Sequence, residues 1–375
     1  MRTPPTQMPA LTGLRAAAAL AIVLFHYGGQ LVAWAPPWVN AVRVGGYVWV
    51  GLFFVLSGFV LGSAHAGPLD GSARRAFWAA RAARLYPAYL VALVLSAPGG
   101  IEAAARLGVA RAATSGLASV ALVQAWFPPI AFSWNSPGWS TSVIAAFYAV
   151  FPFAAARLGK LSTPHLRAAA AISWCASLAF PAAWLALEPD GPVTVFTELE
   201  PPWLLALKFH PVPRAGEFVT GVALGLLHRR GALQVPASAA APSLLLVAVV
   251  LATGAIPFVL LHNGLLVPLF ALVIAGLARG GSHLATALSA RPVRALGEAS
   301  FALYALQEPI YRIARAMPGA PRHPKPGFLL LYLLATCLAA IAMTRLVEAP
   351  IRRAFRPRPL SADPPAGTPG PAGAA

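Results

Sequence analysis

Charge is scarce in this chain of 375 residues: Asp, Glu, Lys and Arg make up 10% of it, and only 11 residues are acidic. A soluble globular domain carries about 25% charged residues, so that class is excluded. Cysteine is scarcer still, with Cys175 and Cys337 far apart and each inside an apolar segment. A disulfide-stapled scaffold is thereby excluded, and helix packing is left as their reading. No two His or Cys stand at close metal-ligand spacing and no glycine-rich phosphate loop occurs, so no motif for a metal or a nucleotide-binding loop is present. The apolar runs lack the strict alternation of a membrane β-barrel, and no repeat of solenoid period is visible.

What is present is hydrophobicity. The chain is 58% hydrophobic, with a mean hydropathy of +0.69. Apolar runs approaching about 20 residues imply an all-α, polytopic integral membrane bundle. Ten spans are expected, at 11–32, 46–64, 84–97, 139–156, 168–187, 215–228, 243–261, 263–278, 298–313 and 328–347. The net charge of +17 does not point to nucleic acid, because the arginines cluster in short loops between apolar runs. Arg74, Arg75, Arg81 and Arg84 follow the second span; Arg157, Lys160 and Arg167 follow the fourth. Similar groups follow the sixth, eighth and tenth spans, the last comprising Arg352, Arg353, Arg356 and Arg358. Basic residues favour the cytoplasmic side, so both termini are expected there.

The expected organisation is a short cytoplasmic N-terminus (1–10), one membrane domain (11–356) and a Pro-, Ala- and Gly-rich disordered tail (357–375). Two segments strain the ten-span topology. Thr114–Phe127 is apolar enough to cross, yet a crossing there would invert the charge rule, so it is expected to be interfacial or re-entrant on the outside. The outer loop Arg312–Lys325 carries four basic residues, which fit anionic headgroups or an acidic acceptor.

Ionisable side chains at membrane depth are costly and mark function. Arg15 and His26 share the first span, and eleven residues of helix put them on nearly one face, roughly 16 Å apart. Arg15 would lie near one membrane surface and His26 near the middle. Arg81 and Arg84, three residues apart, share a helix face and can act as fork-shaped phosphate donors or as plain topological anchors. His26 reads either as a general base or as a helix-bridging hydrogen-bonding group. Glu348 is explained by an ion pair with Arg345 or Arg352 along its own helix. Ser57 and Gly58 read as a close helix approach, His65 as an interfacial residue, and His262 with Asn263 as a tight external turn.

These elements fall in an order that resembles the membrane-bound acyltransferase family 3, which includes O-antigen acetylases and macrolide acyltransferases. The resemblance rests on Arg15-x10-His26 and on the second span Gly51-Leu-Phe-Phe-Val-Leu-Ser57-Gly58-Phe59. It continues through Arg81-Ala-Ala-Arg84-Leu-Tyr-Pro87 and Trp139-Ser140-Thr-Ser142-Val with Phe147-Tyr148 and Phe151-Pro152. Glu217-Phe218-Val-Thr-Gly221 and Arg345-Leu-Val-Glu348-Ala-Pro350 complete it. It covers nearly the whole membrane domain.

The resemblance implies transfer of an acyl group, acetyl in the simplest case, from acyl-CoA to a hydroxyl of a carbohydrate or glycosylated acceptor at a bacterial inner membrane. By the same resemblance His26 and Arg15 are the catalytic pair, and Arg15, Arg81 and Arg84 bind the donor phosphates. No metal and no permanently bound cofactor is expected. Two positions depart from the family pattern: Ile144 stands where relatives often carry Glu, and Gln307 where they carry His. A transporter of a polar lipid or glycan, or a non-catalytic scaffold, remains as an alternative, because buried ionisable groups also mark transport routes.

Overall fold

The computed structural model describes residues 8–65, 67–191 and 201–355. Most of the expected N-terminal stretch, Arg356 and the tail 357–375 lie outside the described residues. Among the described residues every regular element is helical. In chain order these are α1 (Pro9–Tyr27), α2 (Pro37–Ala64), α3 (Gly71–Leu95), α4 (Ala97–Leu107) and α5 (Val109–Val120). Next come α6 (Gly138–Leu158), α7 (Thr163–Leu187), α8 (Pro202–Phe209), α9 (Pro211–Arg229) and α10 (Ala240–Thr253). Finally come α11 (Phe258–Arg279), α12 (His283–Leu288), α13 (Arg291–Glu298), α14 (Ser300–Ala316) and α15 (Pro326–Ala354).

Each of the ten expected segments falls on helix, but six helices are long and apolar enough to cross a membrane: α1, α2, α6, α7, α11 and α15. The other four segments fall on α3, α9, α10 and α14. Helix α10 has only 14 residues and α14 only 17, while the arginines of α3 and the Arg and Glu of α9 reduce their hydropathy. Two expected boundaries are wrong. The first span ends at Tyr27, not Val32, because Gly28 and Gly29 interrupt the helix. The seventh span ends at Thr253, not residue 261, because Gly254 (φ +61°) and Pro257 break the chain before the next helix. The turn expected at His262–Asn263 is present at residues 263–266, where Gly264 takes φ +94°, but both His262 and Asn263 are buried and not external.

The expected interfacial piece does not cross. Helix α5 has 12 residues, about 18 Å of rise, against roughly 30 Å of hydrocarbon. It folds back on α4 at Gly108, φ +86°. The Trp134 ring fits against Gly100 and Gly116, and its indole N–H donates to Ser115 Oγ (3.2 Å). Helix α3 is started by Asp70, whose carboxylate accepts the Ala73 N–H at 2.7 Å; that bond, followed by one from Ser72, holds Asp70 below the usual carboxylate range.

Helix α9 sits between α2 and α7, and its crossing with α2 is the tightest in the bundle. Gly58 and Gly62 on α2 meet Gly221 and Gly225 on α9, a small-xxx-small pattern on both helices. A Cβ at Gly58 would lie 2.2 Å from the Phe218 carbonyl oxygen, and one at Gly221 2.1 Å from that of Val55. In hydrocarbon, where apolar side chains gain little by leaving lipid, such backbone proximity supplies the dispersion contacts that hold helices together.

The loop arginines gather at one end of the bundle and cap helix C-termini. Arg229 donates to the Ser63 and Ala64 carbonyls, Arg230 to those of Gly159 and Leu161, and Arg167 to that of Ala232. Guanidinium at a helix C-terminus satisfies carbonyls without an intrahelical partner and complements the dipole. In the segment Arg312–Lys325, Arg312 pairs with Glu308 (2.8 Å) one turn earlier on α14, and Arg315 donates to the Pro321 and Arg322 carbonyls, closing the loop that follows the helix.

Substituting Gly58 or Gly221 by Leu is expected to separate α2 from α9. The folded fraction in detergent, measured by size-exclusion profile and thermal melting, should fall sharply. Gly67→Ala, with nothing within 4 Å, should match the native protein.

Candidate active site

Three arginines expected to converge do so. Arg15 on α1 and Arg81 and Arg84 on α3 line one cavity of about 150 Å³, whose other walls include Val50, Phe54, Ser57, Ser140, Ile144, Tyr148 and Tyr304. The cavity is cationic at one end and largely apolar along its length. Ile144 is buried on that wall, so the carboxylate that relatives often carry there is replaced by hydrocarbon. Ser57 faces this cavity, while its neighbour Gly58 makes the close approach to α9.

The three cations differ in their partners. Arg84 Nη1 meets Glu348 at 2.8 Å and its Nη2 donates to the Glu298 carbonyl at 3.0 Å. Glu348 is fully buried and also lies 3.7 Å from Arg352. Arg345 is exposed, so the same-helix pairing expected for Glu348 holds for Arg352 and not for Arg345. Glu348 reaches Arg84 because residues Thr344–Glu348 form a π-helical turn within α15, a distortion frequent at functional sites. Arg81 has only aromatic neighbours, its guanidinium 5.7 Å from the Phe77 ring centre and 5.8 Å from that of Tyr148, and its Nε has no partner. Arg15 has neither a hydrogen-bond nor an ion-pair partner among the described residues. Arg84 is thus anchored, whereas Arg15 and Arg81 keep their donors.

His26 lies apart from this cavity, in the last turn of α1 and not in the middle of a span, because the helix stops at Tyr27. Its side chain is exposed. Arg43, which sequence reasoning did not single out, holds that turn by donating to the Phe25 and Leu24 carbonyls at 2.6 and 3.2 Å. His26 Nδ1 is 3.2 Å from Gln307 Oε1, and Gln307 Nε2 donates to the Tyr304 carbonyl at 3.0 Å. The second bond orients the amide with its oxygen toward the imidazole. An amide oxygen only accepts, so the ring proton sits on Nδ1 and Nε2 keeps its lone pair. Gln307, noted in the sequence as a missing histidine, is therefore the partner of His26. Tyr304, one helical turn earlier on α14, reaches the cavity with its hydroxyl. The cavity's inner wall and the histidine's partner are successive positions on one face of one helix.

A second polar cluster was not foreseen. Arg214 and Glu217, both fully buried on α9, approach to 3.0 Å. Arg214 also donates to the His262 backbone carbonyl and stands over Phe54 at 5.3 Å, directly behind the cavity wall. Asn263 Nδ2 donates to the Leu207 carbonyl at 2.8 Å, and the buried Lys208 lies over the Phe209 and Phe258 rings. The sequence signal was available: an Arg-x-x-Glu pair inside an apolar helix has to find partners. Glu308 accepts from Ser136 N–H at 2.6 Å and from Arg312, tying the loop before α6 to α14. His65 makes edge contacts with Phe77 and Phe151, in keeping with a plain interfacial role. No cluster of three or more His, Cys, Asp or Glu suited to a metal is found among the described residues.

Fold and composition together define a multi-pass helical membrane protein, with Arg15, Arg81 and Arg84 in one cavity and the hydrogen-bonded His26 imidazole apart from it. The acyltransferase domain family (Acyl_transf_3) matches residues 8–345, and the chain belongs to that family. It is 28% identical over 377 aligned positions to "Acyltransferase MdmB" of Streptomyces mycarofaciens, covering 96% of this chain and 95% of that relative. It is 24% identical to "Putative peptidoglycan O-acetyltransferase YrhL" of Bacillus subtilis over 92% of this chain, which spans 55% of that longer protein. Over 91 residues, 24% of the chain, it is 35% identical to a "Putative O-acetyltransferase" of Staphylococcus aureus. No solved structure matches. Family membership decides for a membrane O-acyltransferase over the transporter and scaffold alternatives.

Glu217→Ala is expected to strand the Arg214 charge in the core and to destabilise the fold by about 3–5 kcal/mol. Replacing both residues by hydrocarbon, Arg214→Met with Glu217→Leu, should recover most of the lost melting temperature. A double variant no more stable than Glu217→Ala would contradict the pairing.

Proposed function

We propose that this enzyme takes its acyl group from acyl-CoA bound at the arginine end of the cavity. The acceptor is a hydroxyl of a carbohydrate or glycosylated molecule, and the setting is a bacterial inner membrane. The observation that carries this reading is the single cavity shared by Arg15, Arg81 and Arg84, ending one helical turn from the partner of His26. The basic loop clusters support a cytoplasmic position for that end, where acyl-CoA is available.

Coenzyme A carries a pyrophosphate and a further phosphate on a nucleotide, joined to a long thin arm ending in the thioester. Arg15 and Arg81 keep free donors for those phosphates, and the Tyr148 ring fixes Arg81 by cation–π contact. Arg84, held by Glu348, contributes charge and shapes the entrance. The narrow apolar cavity accepts the arm and leaves the nucleotide outside. On α1, Arg15 and His26 are about 16 Å apart, so they act at the two ends of the donor and not on each other.

His26 Nε2 removes the acceptor proton as the hydroxyl oxygen attacks the thioester carbonyl carbon. The tetrahedral intermediate collapses, the C–S bond breaks, and the leaving thiolate takes the proton back from His26. Gln307 keeps the Nδ1 proton in place throughout, so each transfer uses Nε2. The exposed side of His26 admits an acceptor that need not pass the arginines.

Purified protein in lipid, given acetyl-CoA or longer acyl-CoA donors and a cell-envelope glycan extract, is expected to release free coenzyme A thiol. His26→Ala should abolish that release without changing membrane insertion. Arg15→Ala and Arg81→Ala should each raise KM for the donor about 10-fold or more, the loss of one charge-assisted contact. Full turnover in His26→Ala would remove the base assignment, and unchanged KM in both arginine variants would remove the donor site.

A further inference from the structure

Resting on the acyl-CoA reading, we infer that the Tyr304 hydroxyl, held by Ser140, is the hydrogen-bond donor that stabilises the oxyanion formed at the thioester carbonyl. Acyl transfer creates negative charge on the carbonyl oxygen, and a buried donor already aimed at that oxygen stabilises the transition state more than the ground state. Tyr304 meets the geometric requirements. Tyr304 and the Ser140 that touches its hydroxyl both line the donor cavity, and both side chains are buried. Its own backbone carbonyl anchors Gln307, so the residue that would hold the carbonyl oxygen also fixes the partner of the base.

Helix α14 provides a ruler. The Glu298 carbonyl just before it binds Arg84, and Gln307 binds His26 nine residues later. Tyr304 falls between, about 9 Å of helical rise from Glu298 and about 4.5 Å from Gln307. A donor arm entering past Arg84 therefore brings its terminal thioester to the level of Tyr304 as it comes within reach of the base.

The hydroxyl proton is free for the task. Ser140 Oγ is 2.8 Å from the Tyr304 hydroxyl and 3.2 Å from the Pro137 carbonyl, with a single hydrogen to place. When Ser140 donates to Tyr304, the tyrosine proton turns into the cavity and its oxygen is polarised by the incoming bond. During reaction the O–H of Tyr304 stays intact. It donates to the oxygen as the acceptor C–O bond forms and withdraws when the C–S bond breaks and the carbonyl returns.

The test uses the full chain in lipid nanodiscs with acetyl-CoA and the acceptor extract, following thiol release. Tyr304→Phe should keep KM for the donor within about threefold and lower kcat about 100-fold, the loss typical of one oxyanion donor. Ser140→Ala should lower kcat less, since the tyrosine keeps its proton. Fluorinated tyrosines at position 304, which differ in hydroxyl acidity but hardly in shape, should change kcat in step with donor strength, a dependence that a packing role lacks. Native turnover in Tyr304→Phe, a change in KM alone, or turnover indifferent to fluorination would overturn the assignment. No thiol release by the native chain with any donor would overturn the acyl-CoA reading and this assignment with it. Release by native and Tyr304→Phe protein alike would overturn the assignment only.

Discussion

The ion pair between Arg84 and Glu348 is the contact around which the site is arranged. It joins α3 to α15 at the basic end of the bundle, with Glu348 wholly buried and the two side chains 2.8 Å apart. A buried carboxylate with one cation removed would be severely penalised, so the pair fixes the relative position of two helices that otherwise present apolar surfaces to lipid. Pairing also divides labour among the cavity arginines. Arg84 is committed to the protein, while Arg15 and Arg81 stay uncommitted in a cavity too narrow for much water.

A second buried pair, Arg214 with Glu217, plays the corresponding part in the middle of the bundle. It occupies the helix that crosses α2 through four glycines, so α9 combines close backbone packing with fully buried charge. Arg214 lies behind Phe54 and so holds the cavity wall from outside. This rigidity matters for chemistry, because a donor arm and an imidazole approaching from opposite ends have to meet within a fraction of an ångström. The mobile-looking element of the site, the last turn of α1, is restrained independently by Arg43 and Gln307.

The two departures from the family pattern acquire physical meaning in this frame. At position 307 an amide replaces an imidazole, yet it still accepts from His26 and settles the tautomer through its bond to the Tyr304 carbonyl. Its carbonyl in turn receives the Tyr332 hydroxyl at 2.9 Å, which ties α15 to the same point. At position 144 a carboxylate is replaced by hydrocarbon, which makes that part of the cavity wall apolar.

The sequence alone determined what hydrophobicity and helical periodicity control. Helical class, six of the ten expected spans and the shared face of Arg81 and Arg84 follow from runs of apolar residues and a 3.6-residue repeat, and the convergence of Arg15 with that pair was expected from the basic loop pattern. Helix ends were less legible where glycine intervened: Gly28 shortened α1 and moved His26 to its end, and Gly254 ended α10 at Thr253, ahead of the turn that follows His262. Only the tertiary structure decided which charges meet. Glu348 finds Arg84, Gln307 finds His26 and Arg43 caps α1, pairings that span up to 281 residues of sequence. No local periodicity encodes such pairs, because each is selected by the cost of leaving a polar group unpaired once packing has brought distant helices together.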